Sequence, residues 1–264
     1  MINETIIQVD GVRKWYGSVT ALGGVSFSIA RGETFGIVGP NGAGKTTLME
    51  CMVGLRRPDC GRIRVLGLDP VREGRRLHER IGVQLQESAL PEGIKVGEAL
   101  NLFATLHRRR VDTGALLASW GLEQKRKARI ATLSGGQRQR LFIALTLVNT
   151  PEVVFLDELT AGLDPEARRA SWDLIDELRL QGVTVVLVTH AMEEAEALCD
   201  RLAIVDHGKI LALDTPRRLI ALAAGDGTVG ERTVSRRGQH TGTSLEDAYL
   251  AMTSPPVKKR SVSG

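Results

Sequence analysis

The chain has 264 residues, 42% hydrophobic and 25% charged, with a formal net charge of +4. That length holds a sizeable core, as one large domain or one domain with a subdomain. The scattered basic excess is a weak hint of an acidic or membrane-surface partner and not a nucleic-acid footprint.

In chain order, "TIIQV" (residues 5–9) and "VSFSIA" (residues 25–30) alternate apolar and polar residues, as half-buried strands do. Val12 to Gly24 between them reads as loops and a hairpin, punctuated by Gly11, Gly17, Gly23 and Gly24. Thr34 to Val38 is a short apolar strand leading through a Gly-rich loop into a helix that starts near Lys45. "GRIRVLG" (Gly61–Gly67) and "IGVQLQ" (Ile81–Gln86) are further strands. From Pro91 to Thr150 the pattern turns helical, with Leu100, Phe103, Ala104 and Leu106 at three-to-four spacing. This predicts a helical subdomain, about residues 88–150, inserted into an α/β core. "VVFL" (Val153–Leu156) and "VTVVLV" (Val183–Val188) are apolar on both faces, the pattern of a parallel sheet buried between helices. "RLAIVDHGKILAL" (Arg201–Leu213) reads as a hairpin turning at His207-Gly208. The composition shifts after Ala223, so residues 1–223 form the expected domain. Residues 224–264 read as a linker, one short helix capped by Ser244 and Asp247, and a basic tail.

"GPNGAGKT" (Gly39–Thr46) fits G-x-x-x-x-G-K-[ST], between a strand and a helix. Gly39, Gly42 and Gly44 let successive N–H groups point at phosphate oxygens, and the following helix N-terminus adds positive potential. Lys45 then reaches the β- and γ-phosphates, and the Thr46 hydroxyl can ligate Mg²⁺. Pro40, Asn41, Ala43 and Thr47 complete the expected ATP-binding segment.

"LSGGQRQR" (Leu133–Arg140) begins like a capped helix, because Ser134 and Gln137 fit a capping box. Two glycines, Gly135 and Gly136, weaken a first helical turn and make sense where a phosphate approaches closely. The P-loop, Gln86, "LSGGQ", the acidic strand end, "AGLD" and His190 occur in this order. As an ordered set over residues 5–220 they resemble the ATP-binding cassette (ABC) ATPases. The resemblance implies a P-loop NTPase core with a mostly parallel sheet, an N-terminal antiparallel β subdomain and the inserted helical subdomain. It also implies a head-to-tail dimer in which each ATP lies between one chain's P-loop and the other's Ser134, Gly135, Gly136 and Gln137.

By the same resemblance Asp157 binds Mg²⁺ through water, with Thr46 and Gln86 as further metal-site residues. Glu158 orients or deprotonates the attacking water, and His190 contacts the γ-phosphate. Gln86 also couples to the transmembrane partner, with Gln84 as a rival assignment. Tyr16 stacks on adenine, with Trp15 as its rival. Asp164, followed by Pro165, reads as a helix N-cap, and the resemblance adds communication between the two ATP sites. Leu159 departs from the family, which commonly has proline there. Apart from the resemblance, Asp157 and Glu158 sit at the carboxyl end of an apolar strand, where α/β sheets place their ligand crevice; the bland alternative is a pair of strand-end carboxylates facing solvent.

Cys51, Cys60 and Cys199 lack metal-type spacing and point to free thiols in a reducing compartment. No apolar run approaches the roughly 20 residues of a membrane span, and no signal-peptide pattern follows Met1. Together with these absences, the resemblance implies an ATPase held at the cytoplasmic side of the cell membrane by a separate permease, paired with a second ATPase subunit. Looser similarities in "VQLQESALPEGIKVGEAL" and "SLEDAYLAMT" point to the bacterial drug and polysaccharide export branch. An importer subunit is the alternative, followed by a soluble ABC ATPase acting on ribosomes or DNA. No nucleic-acid partner is expected.

Overall fold

The computed structural model describes residues 4–86, 90–108, 111–223 and 244–253. The expected linker and basic tail lie outside the described residues.

Two long strands, β1 (Thr5–Tyr16) and β2 (Val19–Ala30), open the chain as an antiparallel hairpin. The hairpin expected over residues 12–24 is present, but the expected loops are not: all but the turn at residues 17–18 is strand. Gly11, at φ 56, sits in the register shift between Val9 and Val12. A bulge takes up a glycine there without ending the ladder. Next come β3 (Thr34–Val38), α1 (Lys45–Met52) and β4 (Cys60–Val65). β4 pairs antiparallel with β1, so the first sheet has the order β2-β1-β4. A short α2 (Gly74–His78) leads to β5 (Ile81–Gln84), which ends two residues before Gln86, so that residue is not at the strand end.

Between β5 and the next strand the regular elements are helices: α3 (Val96–Thr105), α4 (Thr113–Ser119), two short 3₁₀ turns and α5 (Gly135–Thr146). β6 (Val153–Asp157), α6 (Pro165–Leu180), β7 (Thr184–Thr189), α7 (Met192–Leu198) and the hairpin β8 (Arg201–Asp206) with β9 (Lys209–Asp214) follow. The chain then forms α8 (Pro216–Ala223), and α9 (Leu245–Thr253) starts at the expected capping box between Ser244 and Asp247.

The second sheet has the order β5-β6-β7-β3-β8-β9, parallel except for β9. Its central strands β3, β6 and β7 are buried at every residue. The pleat explains why: alternate residues feed two different cores. Val153, Phe155, Val186 and Val188 pack with α1 and the antiparallel sheet, where Phe27 stacks on Phe35 with ring centroids 5.2 Å apart. Val154, Leu156, Val185 and Leu187 pack with the helices. The order matters for function, because β6, β7 and β3 are neighbours, and three segments far apart in sequence leave the same edge side by side.

Candidate functional site

Those three segments are Asp157–Glu158 at the end of β6, His190 after β7, and the Gly39–Gly44 loop after β3. Parallel sheets place their ligand crevice at this carboxyl edge. The loop is shaped first by its own chain. A Cβ on Gly39 would lie 2.0 Å from the Val205 carbonyl oxygen, and one on Gly44, at φ 100, would lie 2.4 Å from that of Ala21. The β8–β9 turn braces the loop, since Gly208 N–H donates to the Ala43 carbonyl at 2.9 Å. Gly44 offers α1 no side-chain cap, and the first turn carries no acid. The helix therefore begins with free backbone N–H groups and no acid of its own in the first turn.

Lys45 is buried, and its Nζ donates to the carbonyls of Gly39 at 2.9 Å and Pro40 at 3.1 Å. Nζ also lies 3.9 Å from Glu158 Oε1. Burial lowers the Lys45 pKa, while the charges of Glu158 and Asp157 oppose that shift. Asp157 is 1% exposed, and neither carboxylate oxygen has a hydrogen-bond partner. Burial pushes its pKa up to about 6; the adjacent Thr46 hydroxyl works against this without reaching full hydrogen-bond geometry, and the Glu158 charge adds to it. Asp157 is thus buried and the Glu158 side chain only 6% exposed, which rules out the solvent-facing alternative.

Glu158 adopts φ 53, donates its N–H to Val188 O at 2.8 Å, and accepts the Ala161 N–H at 3.1 Å. A left-handed backbone at a non-glycine residue is uncommon. Here it turns the side chain back over the crevice, where Oε2 lies 2.5 Å from His190 Nδ1. The structure therefore brings Lys45, Thr46, Asp157, Glu158 and His190 into one cluster.

The remaining expected residues lie elsewhere. Gln86 is exposed, while Gln84 is buried with Oε1 unpartnered. Ser134 closes the expected capping box with Gln137, at 3.3 and 3.2 Å. A Cβ on Gly136 would lie 3.3 Å from Ala167 Cβ, so one of the two glycines has a packing reason within the chain. Asp164 caps α6 through the Ala167 N–H at 2.9 Å. Tyr16 is half-exposed beside the cations of Arg56 and Lys14, 5.2 and 5.7 Å from its ring centroid. Sequence reasoning missed Glu194, a fully buried acid next to this cluster. An acid in a first helical turn ordinarily signals no more than the helix dipole.

Comparison with known proteins follows the same lines. A family model described as ABC transporter matches residues 22–161. The chain is 43% identical over 228 residues to a daunorubicin resistance ATP-binding protein, DrrA3, of Streptomyces coeruleorubidus, covering 84% of this chain and 72% of that one. It is 41% identical to a Nod factor export ATP-binding protein I of Ralstonia nicotianae, covering 83% and 70%. Among solved structures, an ATP-binding subunit of an ABC transporter matches with TM-score 0.79 at 25% identity, over 94% of this chain and all of that one. A dimeric bacterial ABC transporter cassette matches with TM-score 0.69 at 26% identity, over 79% and 98%.

Proposed function

The chain belongs to the ABC transporter family, and from that premise we propose that it is the ATP-hydrolysing subunit of an exporter. It works as a head-to-tail dimer beneath a separate permease, which spans the membrane and holds it at the cytoplasmic face. Among the described residues no helix is long and apolar enough to cross a membrane. One observation carries the catalytic reading: Glu158, buried, faces both Lys45 and His190.

Residues 39–47 receive the triphosphate of ATP through backbone N–H groups and the start of α1. Lys45 transfers its hydrogen bonds from the Gly39 and Pro40 carbonyls to phosphate oxygens. Tyr16, exposed at the end of β1, stacks on adenine. Glu158 takes the proton of the attacking water, and His190 holds Glu158 in place and contacts the γ-phosphate. Asp157 and Thr46, with Gln86, would hold Mg²⁺. The fit rests on two buried, unpartnered carboxylate oxygens beside a hydroxyl, an all-oxygen set suited to a hard cation. Bound there, Mg²⁺ supplies positive charge against the triphosphate. Ser134–Gln137 of the second subunit closes the site from the other side, and Asp164 lies at that junction.

The export reading rests on the drug-resistance and Nod-factor-export relatives, each more than 40% identical over more than four-fifths of the chain. Inside-out vesicles carrying the full chain and its permease test it. ATP-driven accumulation of the transported compound inside them is expected for export. Accumulation only in right-side-out vesicles would make the chain an importer subunit. A pool bound wholly to ribosomes would overturn both.

A further inference from the structure

Glu194 lies on the first turn of α7, four residues after His190, and is 1% exposed. Both its carboxylate oxygens lack a hydrogen-bond partner. Burying a carboxylate is costly, and an apolar side chain of similar size avoids that cost. The helix dipole does not explain the burial either, because neighbouring Glu193 already places an exposed acid in the same turn.

The surroundings offer an explanation. Three side chains from three segments stand beside the carboxylate: the hydroxyls of Thr189 and Thr160 and the indole of Trp172. None reaches full hydrogen-bond geometry, and Trp172 Nε1 is itself buried and unpartnered. Each lowers the Glu194 pKa, against the larger effect of burial, which raises it. Thr189 Oγ1 accepts the Ala191 N–H at 3.0 Å, which leaves its own proton to donate. Thr189 directly precedes His190. Thr160 sits in the turn that Glu158 closes by accepting the Ala161 N–H. Trp172 belongs to α6, the helix that Asp164 caps. One buried acceptor thus faces a donor from the Glu158 turn, one from the His190 segment and one from the helix behind both.

We propose that Glu194 is a positioning residue for hydrolysis, tying the turn that carries Glu158 to the segment that carries His190. It touches neither nucleotide nor water and acts by holding those two side chains in register. The inference rests on the assignment of Glu158 and His190 as the hydrolytic pair. A displacement of about 1 Å in such a pair costs on the order of 10²-fold in rate.

The test uses the full chain with Glu194→Leu, Glu194→Gln and, as a control, Glu158→Gln. ATP affinity, turnover and thermal midpoint are measured for each. The expected result for Glu194→Leu is turnover reduced about 10- to 100-fold, ATP affinity within about threefold and a midpoint equal to or above wild type. Glu194→Gln keeps a polar partner for the donors and should recover part of the lost turnover. Turnover of Glu194→Leu within about threefold of wild type, or losses of affinity and turnover in equal measure, would overturn the proposal. If Glu194→Leu does not fold, Thr160→Val and Trp172→Phe serve instead. Turnover losses that are less than additive in the double variant support the tie, and wild-type turnover in both singles rejects it. The control separates the two levels. If Glu158→Gln keeps its turnover, the hydrolytic assignment fails; if it loses turnover while the Glu194 variants keep theirs, only this inference fails.

Discussion

Two helices in this chain begin in ways suited to an anion, and they differ in what stands around them. The start of α1 is enclosed: Gly44 supplies no side-chain cap, Lys45 opens the helix, and Asp157, Glu158 and His190 close in from the ends of neighbouring strands. The start of α5 lies open: Ser134 and Gln137 satisfy its end between themselves, Ser134 and Gly135 are exposed, and Gly135 and Gly136 face Leu163 and Ala167. The first is a half-site completed by the fold of one chain. The second is a helix end whose cap is satisfied within the chain. In the head-to-tail arrangement we propose, a single chain binds nucleotide on the first face and offers the second to its partner.

The most severe way to break the enclosed half is Glu158→Gln. Turnover should fall at least about 10²-fold, because a general base contributes about 10²–10⁴-fold. ATP affinity should stay near wild type, and phosphate release with equilibrium nucleotide binding checks both. More than about a tenth of wild-type turnover would remove Glu158 from its role.

The division into two halves is sharpened by mixing two defective chains, Lys45→Ala and Ser134→Arg. Each alone should be nearly inactive. In a head-to-tail dimer the mixed pair has one site carrying both defects and one site intact. An equal mixture should then regain about a quarter of wild-type turnover if sites act independently. No recovery in a mixture shown to contain heterodimers would refute the shared site.

Asp157 tests the electrostatic cost of enclosure. Burial raises its pKa from the ordinary 3.8 to about 6, so between these values the folded chain holds more protons than the unfolded one. Stability therefore declines as pH rises through that window. In metal-free buffer, Asp157→Asn should flatten the decline and stabilise the chain at pH 8 by about 1–3 kcal/mol. Denaturant titrations at pH 5 and pH 8 measure it, and an unchanged difference between the two would show the carboxylate to be well accommodated.

Leu159 gives the smallest expected effect, and it lies on the segment joining the two halves. It is 1% exposed, in the turn closed by Ala161 N–H on Glu158 O. Proline suits the second position of such a turn but restricts the residue before it, and Glu158 already holds φ 53. Leu159→Pro should cost about 1–2 kcal/mol through lost burial and leave turnover within about threefold. A large gain in turnover would mean that leucine holds Glu158 poorly.

What the residues determine by themselves is whatever depends on neighbours along the chain. The phosphate loop, the caps at Ser134 and Asp164, the apolar strands and the turn at His207-Gly208 are local patterns of backbone geometry and side-chain reach, and all of them are legible in sequence. The length of the two strands that meet at Gly17 was not, because Gly11, Gly23 and Gly24 read as turns until β1 and β2 pair and absorb them within the ladder. The glycines of the loop were legible as glycines but not for their second reason, the carbonyls of Ala21 and Val205 pressed against them. The burial of Asp157, the contact between Glu158 and His190, and the donors gathered around Glu194 belong to tertiary structure alone. They arise because β6, β7 and β3 lie side by side in the sheet although β3 comes more than a hundred residues before β6 in the chain. Sequence spacing carries no information about that adjacency; it is set when the apolar faces of the three strands are buried together.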